Sequence, residues 1–195
     1  MGSLGRSEMV LSSDQDHAII LSDEYDPDKH GFYFKQLGEK FSSLVHQAGL
    51  PVCPGDMMAS NSKWRLTASA WEKEFSTWTD ALGPKALMKA QTFFDMRPVV
   101  GDSELCDDVR SAALMTARRD RRFLNALVKI ARHREPPLGF FRGFVLDRSG
   151  NYANTLDIKR GGLTAVVQRA RLYAIQAWVD EVGTRDRLRA AARAG

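Results

Sequence analysis

Two aspartates one residue apart, Asp14 and Asp16, are the residues of this 195-residue chain whose type and spacing suit metal chemistry. They precede the apolar run AIIL, whose length and β-branched character predict a buried strand starting at about Asp14. The period of two in a strand puts both carboxylates on one face, with Gln15 on the other. Oxygen donors held a few ångströms apart suit Mg2+, which is bound by one or two carboxylates together with substrate phosphates and water. Ahead of them, Gly2-Ser3 and Gly5 give a backbone that a phosphate can approach closely, and Arg6 adds a fork-shaped cation. A bare Asp-x-Asp pair also occurs in solvated surface loops, so the pattern alone leaves both readings open.

The elements that must position these residues follow from periodicity. Phe34, Leu37, Phe41, Leu44, Val45 and Ala48 predict a helix from about Asp28 to Gln47, which Gly49 stops. The segment LPVCPGDMMASNSKWR, with two prolines and a glycine, reads as a long loop. Thr67 then caps a helix carrying Trp71, Phe75 and Trp78, with Glu72 and Glu74 near its front. QTFFDMR, just before Pro98, predicts a strand ending at Arg97, with a helix turn as the alternative. A long helical pattern runs from Asp102 to about Arg134, and its ARRDRR middle is either a solvated face or a break. PPLGFFRGF is a turn followed by an aromatic patch, and DRSGN is a turn centred on Gly150. Helices from about Gly162 to Val179 and from Thr184 to Ala194 complete a small C-terminal bundle. The expected class is α+β: a partial mixed sheet with helices over residues 1–101, then a helical domain over 102–195.

Composition narrows the function classes. With 44% hydrophobic and 27% charged residues, the chain reads as an ordinary globular protein. No stretch approaches the roughly 18 consecutive apolar residues of a membrane span, and no signal peptide opens the chain, so a cytoplasmic location is expected. Cys53 and Cys106 lack a Cys or His neighbour at metal-ligand spacing and are read as reduced thiols. Residues 1–101 carry 10 Lys/Arg against 13 Asp/Glu, a balance of −3, and residues 102–195 carry 18 against 11, a balance of +7. The basic half suits an anionic ligand or, more plainly, arginines that solvate helices. Trp64, Trp71 and Trp78 fit a packing stripe better than a base-stacking platform, and the four histidines share no spacing and are read as structural.

The glycine-serine turn, ten-residue spacer, paired aspartates and apolar AIIL together resemble the nucleotidyltransferase superfamily that includes DNA polymerase β. The ordered stretches GSLGRSE, SDQDHAI, CPGDMMASNSKW, FFDMRPVVGD, PPLGFF and LDIKRGGL with ARLYAI resemble, more narrowly, a bacterial group of nucleotidyltransferases related to the protein-PII uridylyltransferases. In that group a helical substrate-binding domain follows the transferase unit, and cyclic-nucleotide-binding or CBS regulatory domains commonly precede it. The resemblance implies that Asp14 and Asp16 bind the metal, that Gly2 and Ser3 contact nucleotide phosphates, and that Asp95 is a third carboxylate serving as ligand or base. Arg6 and Lys159 would balance triphosphate charge.

The implied reaction moves a nucleoside monophosphate from a nucleoside triphosphate to a protein or small-molecule hydroxyl, with two Mg2+ ions and a role in signal transduction. No His-Asp pair suggests the uridylyl-removing activity that some relatives carry. In the superfamily a strand runs into the glycine-serine turn; here Met1 precedes it directly, so the expectation is an N-terminally truncated unit of doubtful activity by itself. A nucleotide-binding regulatory module without turnover is the second expectation, and a basic helical nucleic-acid-binding protein the third.

Overall fold

The structure, a computed structural model, describes residues 1–132, 146, 155, 156 and 158–195. His133, the PPLGFFRGF patch, the DRSGN turn and Asp157 lie outside the described residues. Two compact units result, Met1–Arg119 and Asp120–Gly195. The helical content, with a small parallel sheet, makes the class α+β.

The first unit begins with a short helix, α1 (Gly2–Gly5), and a strand, β1 (Ile19–Leu21). The strand expected from Asp14 is thus confined to its last three residues; upstream, only Gln15 pairs, in a parallel bridge with Val52. Helix α2 (Pro27–Gln47) starts where chemistry dictates, with Pro27 at its first position and the Asp26 carboxylate accepting from the Asp28 and Lys29 amides. Its apolar stripe does not face a core. Leu37, Phe41 and Leu44 are exposed, and the buried positions are Gly38 and Ser42. The reason is close backbone approach, since a Cβ on Gly38 would lie 2.2 Å from the Ala59 carbonyl oxygen.

Inside the segment read as a loop, a 3-10 turn (Ser62–Trp64) leads into strand β2 (Arg65–Thr67), which pairs in parallel with β1 in the register Ile19↔Arg65, Ile20↔Leu66, Leu21↔Thr67. Among the described residues the sheet of the first unit is this two-stranded parallel pair, where a partial mixed sheet was expected. Thr67 caps α3 (Ala68–Ala81) as predicted, its hydroxyl accepting from the Ala70 amide. Helix α4 (Pro84–Phe93) overturns the QTFFDMR strand. Pro84 opens this helix, Leu87, Ala90 and Phe93 bury one side of it, and Phe94 caps it. Asp95 therefore sits in the turn that follows a helix. Helix α5 (Ser103–Arg119) packs on α3 and buries Val109, Ala113 and Ala117, so it belongs to the first unit rather than to the C-terminal bundle.

An aromatic layer forms the core. Trp64, Trp71, Phe75, Trp78, Phe93 and Phe94 are all buried, with centroids 5.1 Å apart for both Trp71–Phe93 and Phe75–Phe94. The tryptophans are core, as their spacing suggested, although Trp64 joins from the turn before β2 rather than from a shared helix. Trp71 also donates its indole N–H to the Ile19 carbonyl at 3.1 Å, tying α3 to β1.

Of the two readings of ARRDRR the structure takes the break, at Asp120, whose carboxylate caps the second unit's α6 (Arg121–Arg132) by accepting from the Arg122 and Phe123 amides. A π-type turn (Lys159–Leu163) enters α7 (Thr164–Gln176), and α8 (Thr184–Ala194) packs back on α7. Ala165, Ala170, Ala174 and Ile175 are buried. Arg187 is buried too, its Nε donating to the Glu181 carbonyl at 2.7 Å. Among the described residues no helix is long and apolar enough to cross a membrane.

Candidate functional site

The bridge between Gln15 and Val52 builds the site. The Gln15 amide donates to the Pro51 carbonyl at 3.0 Å, setting residues 14–16 alongside residues 51–53. Where Gln15 and Val52 pair, the alternation of extended chains puts their neighbours on the opposite side. Those neighbours are Asp14, Asp16 and Cys53, and one ligand atom from each lies within 4.8 Å of the others. Asp14 is half-buried, whereas Asp16 and Cys53 are buried.

Polar side chains fasten this strap from behind. Gln15, wholly buried, donates through its amide nitrogen to the Leu50 carbonyl at 3.3 Å and accepts from His17 Nε2 at 2.8 Å. His17 Nδ1 accepts from the Ala59 amide at 3.0 Å, which places the ring proton on Nε2. Burial, followed by the positive Met1 amine, pushes the His17 pKa down to about 4. At neutral pH the ring is an uncharged brace between two segments.

The Cys53 thiol is pushed up to about 11, first by burial and then by its hydrogen bond to Asp16, while the amides of Met57 and Gly55 hydrogen-bond the sulfur and act in the other direction. It is therefore protonated at neutral pH.

Helix α1 is wedged against both aspartate-bearing segments by its glycines. Gly2 adopts a left-handed backbone, φ 54°, and a Cβ there would meet Asp16 Oδ2 at 2.7 Å. A Cβ on Gly5 would lie 1.7 Å from the Asp95 carbonyl oxygen. Arg6 follows, donating through Nη1 to Asp95 Oδ2 and through Nε to Glu8 Oε2 at 2.7 Å. Burial works against its charge, but the two carboxylates prevail and raise its pKa.

The structure thus brings Asp14, Asp16 and Gly2 together, with Ser3 one residue further along α1. Asp95 is wholly buried against Arg6 and is not among the three clustered donors. Arg97 donates to the Leu4 carbonyl at 3.5 Å. Lys159 is exposed in the second unit, at the start of the π-type turn. Cys53 is the residue that sequence spacing missed, because only the pairing of residue 15 with residue 52 reveals it. The donor set fits a divalent cation, with two carboxylates on one side of the strap supplying the hard oxygens that Mg2+ takes.

Comparison with known families assigns both parts of the chain. A family model described as "Putative nucleotidyltransferase DUF294" matches residues 1–85, and one described as "Putative nucleotidyltransferase substrate binding domain" matches residues 121–195. The first match contains Gly2, Asp14, Asp16 and Cys53, while Asp95 lies beyond it. No curated protein and no solved structure matches the chain.

Proposed function

The chain belongs to this nucleotidyltransferase family, and from that premise we propose that it transfers a nucleoside monophosphate from a nucleoside triphosphate to an acceptor hydroxyl, releasing pyrophosphate. The observation that carries this reading is the gathering of Asp14 and Asp16 on one side of the Gln15–Val52 bridge, with Gly2 backed against Asp16.

In this reading Asp14 and Asp16 hold the Mg2+ ions of a two-metal site. When bound, Mg2+ acidifies the acceptor hydroxyl and offsets charge at the α-phosphate. Gly2 and Ser3 supply the backbone against which the nucleotide phosphates lie, because Gly2 leaves no side chain between them and Asp16. Asp95 is a positioning residue that holds Arg6, and the pair keeps α1 against the aspartates. As the resemblance implies, Arg6, ion-paired with Glu8 and Asp95, and Lys159, in the second unit, would balance triphosphate charge. Following the resemblance to protein-PII uridylyltransferases, the transferred group is uridylyl and the acceptor a protein or small molecule. By the same resemblance the reading extends to a bacterial cytoplasmic protein of signal transduction in which regulatory domains would precede this unit.

The test is pyrophosphate release from labelled UTP or ATP with Mg2+ and candidate acceptors. Asp14→Asn and Asp16→Asn should each abolish release while leaving the unfolding midpoint within the range of a surface substitution. Release that survives both substitutions rules the reading out. Nucleotide binding without release, in every acceptor mixture, favours a regulatory module instead.

A further inference from the structure

We propose that a cavity between α3 and α5 binds a small zwitterion of the α-amino-acid class, at a site that shares no residue with the Asp14–Asp16 cluster. The cavity measures about 320 Å3, at the lower end of the range for small-molecule sites, and lies wholly inside the first unit. Three hydroxyls, two opposite charges and an apolar floor line it, and each narrows the ligand.

The hydroxyls act as acceptors. Ser69 Oγ donates its proton to Asp23 Oδ1 at 2.8 Å, Ser76 Oγ to the Glu72 carbonyl at 3.1 Å and Thr116 Oγ1 to the Ala112 carbonyl at 3.0 Å. The Ser69 amide and then its hydroxyl hold the Asp23 carboxyl below its ordinary pKa, so Asp23 takes the Ser69 proton rather than giving one. A hydroxyl has one proton and two lone pairs, so each of these three, with its proton committed, offers a ligand lone pairs. Glu72 adds a carboxylate to the same lining. Such a set asks for several N–H groups and a positive charge, which an ammonium supplies.

The charged pair asks for the other end of the ligand. Glu74 accepts from the Trp78 indole N–H at 2.8 Å, whereas among the described residues Glu72 and Lys73 hold no ion pair or side-chain hydrogen bond. A ligand with positive charge alone meets Glu72 but opposes the Lys73 ammonium, and one with negative charge alone reverses the conflict. A ligand carrying both charges answers both residues. Glu72 and Lys73 are consecutive on α3, so their charges are offered close together, as an α-amino acid carries its own. Phe75, Ala112 and Ala113 complete the lining and leave room for a short apolar side chain.

Ligand-observed NMR on the full 195-residue chain tests this, with each proteinogenic amino acid offered alone. The expected result is saturation transfer to at least one of them. The N-acetyl derivative of that amino acid, which lacks the ammonium, and its primary amide, which lacks the carboxylate, should each bind at least about tenfold more weakly, as loss of a hydrogen bond between charged groups brings. Glu72→Gln removes a charge and Ala112→Leu fills the cavity, and both should weaken binding, whereas Asp14→Asn should leave it unchanged. Absence of binding by every amino acid, or binding indifferent to Glu72→Gln and Ala112→Leu, overturns the proposal. So does equal binding of the N-acetyl or amide form, an arm that needs no substitution and stands even where a variant fails to fold. Binding that is lost in Asp14→Asn but kept in Ala112→Leu assigns the ligand to the nucleotidyl-transfer site and overturns a separate one.

Discussion

The aromatic layer around Trp71 and the polar strap from Ser13 to His17 lie in the same unit, and both are withdrawn from water. Trp71, Phe75 and Phe93 are at most 1% exposed, and Ser13, Gln15, Asp16 and His17 at most 9%. The layer gains from burial directly, since large apolar surfaces leave water and rings pack at favourable offsets. The strap gains nothing until each polar atom finds a partner, because an unpaired buried polar group carries a desolvation penalty of about 1–3 kcal/mol. Ser13 Oγ accordingly accepts from the Val10 amide at 2.9 Å, Gln15 spans Leu50 and His17, and His17 accepts from Ala59. One region holds the unit together, and the other draws on that stability to keep two carboxylates close together.

Truncating the layer should give the largest effect. Trp71→Ala removes the ring that contacts Trp64, Trp78 and Phe93 and the donor to Ile19, and should lower unfolding free energy by about 3–5 kcal/mol in urea. A loss below that of an ordinary surface substitution would mean the layer is not the source of stability. Next comes Gly5→Ala, which forces a Cβ onto the Asp95 carbonyl and should cost about 1–3 kcal/mol as overpacking. Nucleotide binding measured on the same variant shows whether the shift reaches Gly2.

The strap should show itself in pH dependence. His17 has a folded pKa of about 4 against an ordinary value of 6.5, so below 6.5 the unfolded chain takes up a proton that the folded chain refuses. Its contribution is therefore complete above about pH 6.5 and is lost as pH falls toward 4. The loss should approach about 3 kcal/mol, since the pKa falls by about two and a half units and each unit is worth about 1.4 kcal/mol. His17→Gln should flatten that part of the stability curve, and an unchanged slope would remove His17 as the brace. The smallest effect belongs to α2: Phe32, 73% exposed, should tolerate replacement by serine within about 0.5 kcal/mol. A larger loss on urea titration would show that this face contributes to the core after all.

The start of α3 was legible from the amino-acid order, because the Thr67 hydroxyl satisfies an amide of its own next turn. The same chemistry starts α2 at Asp26 and Pro27, where periodicity predicts a helix from about Asp28, and divides α5 from α6 at Asp120, where the residue order leaves a solvated face or a break open. Elements that depend on a distant partner were not legible. QTFFDMR has the apolar density of a strand, but Pro84 had already begun a helix that runs through its first residues. Arg65–Thr67 is a strand only because β1 lies beside it, and three residues carry no period of their own. The stripe on α2 has the spacing of a core-facing helix, yet backbone contact at Gly38 turns the other side inward.

The site divides along the same line. That Asp14 and Asp16 share a side is a local property, since alternation along an extended segment needs no other part of the chain. That Cys53 joins them, that Gly2 rather than a bulkier residue backs Asp16, and that Asp95 pairs with Arg6 are all matters of register and packing between segments far apart in sequence. Local order is written in nearest neighbours, because capping and alternation act over a few residues. The identity of a third donor is not, because it depends on which loop the folded backbone lays beside the pair.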